Sequence, residues 1–389
     1  MLEFTKEEFL SRLDKIKERM REKNIDVLLV TDPANMNYIT GYNAWSFYVH
    51  QMVAVLLDEE EPVWIGRFMD AIACRKTAWI NHENIIGYSD LFVQSTEVHP
   101  MDFVADTLET RGQGVKTIAV EMDNYYFTAK AMESLRKGLP NAKFVDAQGL
   151  VNWVRIIKSD TEIEHMKRAG KIMEKGMMDA INYLDVGVRK CDMAAEIYRT
   201  FTSGTKEFGG DYASIVPLMP TGIDAGACHL TWTDEKYKDG DIVIFELAGA
   251  YKRYHSPMSR TISLGKPTQK LEDTAKITIE GLNMALDFIK PGVTAEEVEA
   301  VWSNNLKRYG LEKESRIGYS TGLNYPPDWG EHTISLRPGD KTVLQKNMTL
   351  HVIPGMYYED FGVEISEAIL ITETGCEPLA NVERKLFIK

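Results

Sequence analysis

The 389-residue sequence has four cysteines, Cys74, Cys191, Cys228 and Cys376, and none stands in a CxxC or Cys/His spacing. That argues against a disulfide frame or a zinc knot and suits reduced thiols in the cytosol. No apolar run is long enough to cross a bilayer, and the N-terminus, MLEFTKEEFLSRLDKIKERM, is charged within its first few residues. No membrane anchor or export signal is therefore expected, and the expected location is cytoplasmic. An excess of positive charge is missing as well. The formal net charge is −13, whereas a binder of nucleic acid or of an anionic membrane needs a basic face. What is there, 44% hydrophobic and 26% charged residues, is the composition of a soluble globular protein. The length exceeds one ordinary core, so two domains are expected.

Thr5 followed by Glu8 forms a capping box, and Phe9, Leu10, Leu13, Ile16 and Met20 keep helical spacing to about Lys23. Asp26 to Val30 reads as a short buried strand, and DPANMNYITGY (32–42), with its Pro, Asp, Asn and Gly, reads as a loop. Strands at 53–57, 62–65 and 117–120 alternate with helices near 102–110 and 128–139, which predicts an α/β N-terminal domain, residues 1–155. A long helix then opens near Ser159, with Asp160 or Thr161 as its cap, and starts a second domain, residues 156–389. Further helices are expected around 192–201, 271–289 and 295–309, the last capped by Thr294 with Glu297, and strands at 348–353 and 362–371. The second domain carries a faint repeat. DVGV (185–188) and KPGV (290–293) each precede a helix that is followed, some 35 to 40 residues on, by an apolar strand, GDIVIFELAG or KNMTLHVIPG.

The stretch GDIVIFELAGAYKRYHSPMSRT (240–261) reads as strand, turn, strand, with Ala248-Gly249-Ala250 as the turn or bulge. Glu246 stands at the end of its apolar run. A carboxylate there is either a solvated edge residue or one with a partner or a task.

Several segments, taken in order, resemble the creatinase/aminopeptidase P/prolidase superfamily: NYITGY (37–42), VRIIKSDTEIEHMKRA (154–169), the isolated His229, the 240–261 stretch, GYSTGL (318–323) and IPGMYYEDFGVEISEAILIT (353–372). The resemblance implies an α/β N-terminal domain followed by an α+β pita-bread catalytic domain of two pseudo-symmetric halves, which would account for the repeat. Peptidases of this superfamily hold two metal ions with two Asp, one His and two Glu. The corresponding positions here are Glu246, Pro257, Tyr319, Ile353 and Ser366. Pro and Ile offer no side-chain donor, so no metal and no other cofactor is expected. The ELAGAYKRYHSPMSRT and YPPDWGEHTISL segments are most similar to the metal-free ectoine hydrolase branch, whose members open the cyclic amidine of ectoine.

Strand periodicity puts His255 on the face of Pro257, His351 on that of Ile353 and Glu364 on that of Ser366. With Glu246 and His229 these residues form a candidate site, although His255 or His351 could be a core histidine and Glu364 could pair with Arg253 or Arg260. Such a cluster suits a small cationic or zwitterionic substrate: a carboxylate recognises a planar amidinium, and Trp232, Tyr319, Tyr325 and Trp329 are aromatic surfaces for stacking or for the core. Glu246 is expected to attack the amidine carbon or hold the attacking water, with His351 as a further catalytic group and His255, Glu364, Tyr319, Trp232 and Trp329 as substrate contacts; the resemblance implies His229 as proton shuttle. A guanidino compound as substrate, a non-catalytic binding module and a proline peptidase are the competing readings. The resemblance also implies a homodimer, with the aromatic stretch NYITGYNAWSFY (37–48) as the candidate contact.

Overall fold

The computed structural model describes residues 2–46 and 48–389, so Phe47, inside the aromatic stretch, lies outside the described residues. The chain forms two compact units, Met1–Arg155 and Ile156–Lys389. The first contains α1 (Lys6–Glu22), β1 (Val27–Val30), α2 (Pro33–Thr40), β2 (Met52–Leu56), β3 (Val63–Arg67), α3 (Ala71–Thr77), β4 (Ile85–Tyr88), α4 (Pro100–Thr110), β5 (Thr117–Val120), α5 (Ala129–Gly138), β6 (Lys143–Asp146) and α6 (Leu150–Arg155). Its mixed sheet has the order β4-β3-β2-β1-β5-β6. Val27, Leu29, Met52 and Ile118 pack against Val104, Leu108 and Leu135 of α4 and α5.

Residues 33–40, expected as loop, form the helix α2. The Pro, Asp and Gly that suggested a loop are its punctuation. Asp32 caps the N-terminus through its carboxylate to Ala34 and Asn35 N–H, Pro33 occupies the first turn, and Gly41 closes the helix at φ 77°.

The second unit contains α7 (Asp160–Tyr183), α8 (Lys190–Ser203), β7 (Ile242–Tyr251), β8 (Tyr254–Ser263), α9 (Gln269–Phe288), α10 (Ala295–Lys307), β9 (Gly318–Thr321), β10 (Gly330–Ser335), β11 (Thr349–Val352), β12 (Gly355–Tyr357), β13 (Gly362–Glu364), β14 (Glu367–Ile371), β15 (Cys376–Pro378) and β16 (Phe387–Ile388). Its sheets run β10-β9-β11-β14-β15, β16-β8-β7 and β12-β13. The sequence repeat is a structural one. Gly187 and Gly292 both take left-handed φ, 89° and 94°. In one half Gly187 N donates to Tyr237 O and Tyr237 N to Val188 O; in the other Gly292 N donates to Leu344 O and Leu344 N to Val293 O. This is the pita-bread architecture of paired helices on antiparallel strands.

Two local expectations change. The cap of α7 is Ser159, which accepts from Glu162 N while the Glu162 carboxylate accepts from Ser159 N. The hairpin does not turn at Ala248-Gly249-Ala250: β7 runs on to Tyr251, and Lys252 and Arg253 turn the chain with φ of 50° and 68°. Gly249 serves packing, since a Cβ there would come 2.2 Å from the Ala169 carbonyl oxygen of α7.

Lys158, just before α7, is buried with Glu331 of β10, its Nζ 2.8 and 2.7 Å from the two carboxylate oxygens. Removing one partner strands the other charge out of water. Lys158→Met is therefore expected to lower unfolding free energy by about 3–5 kcal/mol, read by urea denaturation. A loss under about 1 kcal/mol would contradict a stabilising role for this pair.

Candidate active site

The alternation of β7 positions the central carboxylate. Val243, Phe245 and Leu247 point into the core with Met173, Met177 and Phe201 of the helices, so Glu246 points to the opposite face. Register adds its neighbours, because Pro257, Ser259 and Thr261 of β8 pair with Ala248, Glu246 and Ile244. The end of β13 is fastened to this same face. Glu364 N donates to Thr261 Oγ1 at 2.8 Å, and the Glu364 carbonyl accepts from Thr261 Oγ1 at 2.9 Å and from Ser259 Oγ at 3.3 Å. The Glu364 backbone is thereby held beside Ser259, the strand residue opposite Glu246.

Glu246 is 6% exposed and makes no side-chain hydrogen bond among the described residues. Glu364 is fully buried; its Oε2 accepts from the Tyr357 hydroxyl and its Oε1 has no partner. Burial and then the Glu364 charge push the Glu246 carboxyl well above its ordinary range. Burial raises Glu364 too, and the hydroxyls of Tyr357 and Ser259, then the charges of Lys313 and His229, only partly offset it. Like charges that act on each other in a buried site do not both ionise readily, so each carboxyl opposes ionisation of the other. Lys313 forms no ion pair among the described residues, and burial pushes its ammonium down to about 8. Neither Arg253 nor Arg260 pairs with Glu364: Arg253 bonds Asp211 and Arg260 bonds Glu367.

Beside the acids runs a chain of polar contacts. Trp329 Nε1 donates to the Tyr319 hydroxyl at 2.8 Å, the hydroxyl lies 3.0 Å from His351 Nδ1, and His351 Nε2 lies 2.7 Å from Ser366 Oγ. Ser366 Oγ also accepts from Ser259 N at 2.7 Å, which ties the chain to the strand residue opposite Glu246. His351 and Tyr319 are directly paired on β11 and β9. Burial pushes the His351 imidazole down to about 3, so it is neutral throughout the physiological range.

The remaining expected site residues fall in different places. His229 is exposed on the loop before the hairpin, without a hydrogen bond among the described residues, and close enough for its charge to act on Glu364. His255 is fully buried and turned to Ser214, whose N–H and hydroxyl both lie 3.0 Å from Nε2, while Nδ1 has no partner; burial pushes it down to about 3. Trp232 packs edge-on against Tyr198 at the helical core. Trp329 is fully buried and holds Tyr319. Tyr357 and Lys313 escaped sequence reasoning. One of two adjacent tyrosines and one lysine in the charged run LEKESR carry no signal that separates them from solvated neighbours.

The residues at the superfamily's metal positions do not fit two metal ions. Pro257 and Ile353 have no donor, Ser366 is engaged by His351 and Ser259, and Tyr319 by Trp329 and His351, leaving Glu246 alone. Among the described residues no group of three or more His, Cys, Asp or Glu is placed to hold a metal.

Comparison with known proteins accords with this architecture. Residues 12–157 match the creatinase/prolidase N-terminal domain, and residues 164–373 match metallopeptidase family M24. An ectoine hydrolase of Halomonas elongata is 47% identical, the alignment covering 100% of this chain and 99% of the relative. Among solved structures, the prolidase of Pyrococcus horikoshii superposes with a TM-score of 0.80 at 24% identity, covering 97% of this chain and 100% of the prolidase. An X-Pro aminopeptidase of Thermotoga maritima does so at 0.80 and 20% identity, covering 97% and 99%. The chain belongs to metallopeptidase family M24, with a creatinase/prolidase N-terminal domain ahead of a pita-bread domain.

Proposed function

We propose that this chain is a metal-independent hydrolase that opens the cyclic amidine ring of ectoine by C–N hydrolysis to N-acetyl-2,4-diaminobutyrate, acting in the cytoplasm as a homodimer. The observation that carries the reading is the pair Glu246 and Glu364, two buried carboxyls that form no ion pair among the described residues, with Glu364 Oε1 left without a hydrogen bond. Buried charge without a partner is costly, and a planar amidinium supplies both the missing charge and N–H donors in bidentate geometry. The 47% identity with an ectoine hydrolase supports this substrate over a guanidino compound.

In this reading Glu246 meets the amidine carbon, by direct attack or through a held water, and Glu364 aligns the ring nitrogens. His229, exposed on the loop before the hairpin, is the proton shuttle in this reading. The substrate is zwitterionic and its carboxylate needs a cation. Arg316 lies with its guanidinium 4.6 Å from the Tyr319 ring centroid, exposed and without an ion pair among the described residues. His255, held by Ser214, supports the wall of the site, and Trp232 belongs to the helical core.

Incubation with ectoine and, separately, with creatine, followed by mass spectrometry, tests the reading. Ring-opened N-acetyl-2,4-diaminobutyrate from ectoine and no product from creatine is expected. Turnover of creatine alone would transfer the site to a guanidino substrate.

A further inference from the structure

The polar chain beside the acids leaves one hydrogen atom unpaired among the described residues. Ser366 Oγ accepts from Ser259 N, and among the described residues its own hydrogen has one acceptor, His351 Nε2 at 2.7 Å. If Nε2 carried the hydrogen instead, the Ser366 hydroxyl, fully buried, would be left with an unpaired donor, a penalty of roughly 1–3 kcal/mol. In the other tautomer Ser366 donates to Nε2 and the imidazole hydrogen sits on Nδ1 and donates to the Tyr319 oxygen 3.0 Å away, so that the unpaired hydrogen moves from Ser366 to the phenol. The same oxygen already accepts from Trp329 Nε1 at 2.8 Å. With both acceptor positions filled by N–H donors, the phenolic hydrogen has no partner among the described residues.

Tyr319 and His351 are directly paired strand neighbours, and the chain from His351 through Ser366 ends at Ser259, which stands opposite Glu246 on the same face of the hairpin. Register and the hydrogen-bonded chain thus connect the Tyr319 hydroxyl to the strand residue opposite Glu246. The Glu246 charge is also felt at the phenol, where, after burial, it holds the hydroxyl protonated.

Resting on the amidine reading, we propose that Tyr319 is the catalytic acid that protonates the departing ring nitrogen, and that Trp329, His351 and Ser366 are positioning residues that aim its hydroxyl. Glu246 takes one proton of the attacking water as the oxygen bonds to the amidine carbon. When the ring C–N bond breaks, its electron pair stays on nitrogen, and that nitrogen takes the Tyr319 proton. The two N–H donors stabilise the phenolate. The new C–OH returns its proton to the phenolate as the amide carbonyl forms, and the proton on Glu246 completes the product ammonium. Water is consumed and the protein ends as it began. His351, expected as a catalytic group, acts in this scheme through Tyr319.

Tyr319→Phe keeps the ring and removes the acid. Its kcat for ectoine is expected to fall about 10²–10⁴-fold with KM changed less than about threefold. Ser366→Ala lets Nε2 take the hydrogen and turns Nδ1 into an acceptor of the phenol, so kcat is expected to fall about tenfold, again without a change in KM. A Tyr319→Phe enzyme retaining more than about a tenth of kcat, or a loss carried wholly by KM, would overturn the assignment. An arm that needs neither turnover nor a folded Phe variant places 3-fluorotyrosine at position 319 and follows its ¹⁹F resonance as acetamidinium, the bare cation, is added. A saturable shift supports the assignment, and an unmoved resonance contradicts it. Wild-type protein inert toward ectoine but showing the shift would remove the substrate and leave Tyr319 facing the cation.

Discussion

Glu246→Gln is expected to abolish hydrolysis, lowering kcat on the order of 10⁴-fold or more, as the loss of a nucleophile or of its activating base does. The change is nearly isosteric, so the fold should persist. Glu246 makes no side-chain hydrogen bond among the described residues for the amide to break, and its burial as a carboxyl already costs free energy. Single-turnover assays on ectoine, with thermal melts of both proteins, give the answer. A variant that melts like wild type and keeps more than about a tenth of the rate would remove Glu246 from the chemistry.

Glu364→Gln should act on binding and on pH dependence together. The orphaned Oε1 loses its charge, and the amidinium loses one charge-assisted contact, for which about 2–5 kcal/mol, or roughly 30-fold and upward in KM, is the usual scale. Both carboxyls are raised in the fold, so wild-type protein binds more protons than the unfolded chain between the ordinary carboxyl pKa and the folded values. Stability therefore falls as pH climbs through that window. Removing one member relieves the other, and Glu364→Gln should melt higher than wild type near neutral pH, by roughly 2–4 °C for each kcal/mol relieved. That gain should vanish in acid, where both carboxyls are protonated in folded and unfolded chains alike. Cation binding needs the pair ionised, so wild-type kcat/KM should climb with pH, and the variant's rise should sit at lower pH. An unchanged profile would mean that the two carboxyls do not sense each other.

The fold was legible where the signals were periodic or paired. Thr294 with Glu297 announced α10, and the matched DVGV and KPGV turns announced two halves that prove to share even their glycine φ angles. Legibility failed where one residue type serves two purposes. Pro33 and Gly41 mark a loop or the two ends of a helix, and only the Asp32 cap geometry decides. Gly249 marks a turn or a close approach, and the proximity of the α7 backbone decides.

The site followed the same rule. Strand parity sufficed to bring Glu246, Glu364, Ser366 and His351 to one region, because alternation is a property of the strand itself. It could not say what each side chain finds there. His255 shares parity with Pro257, yet its ring is taken by Ser214 from a distant irregular segment. Trp329, expected as an aromatic surface, spends its indole N–H on Tyr319. Those partners come from loops whose course no periodicity encodes.

The most direct measurement is ectoine turnover by protein stripped with a strong chelator and verified by elemental analysis to hold no stoichiometric metal. Full conversion to N-acetyl-2,4-diaminobutyrate at the untreated rate is the predicted result. Stoichiometric manganese or zinc in active protein, with activity lost on its removal and restored on its return, would contradict the account.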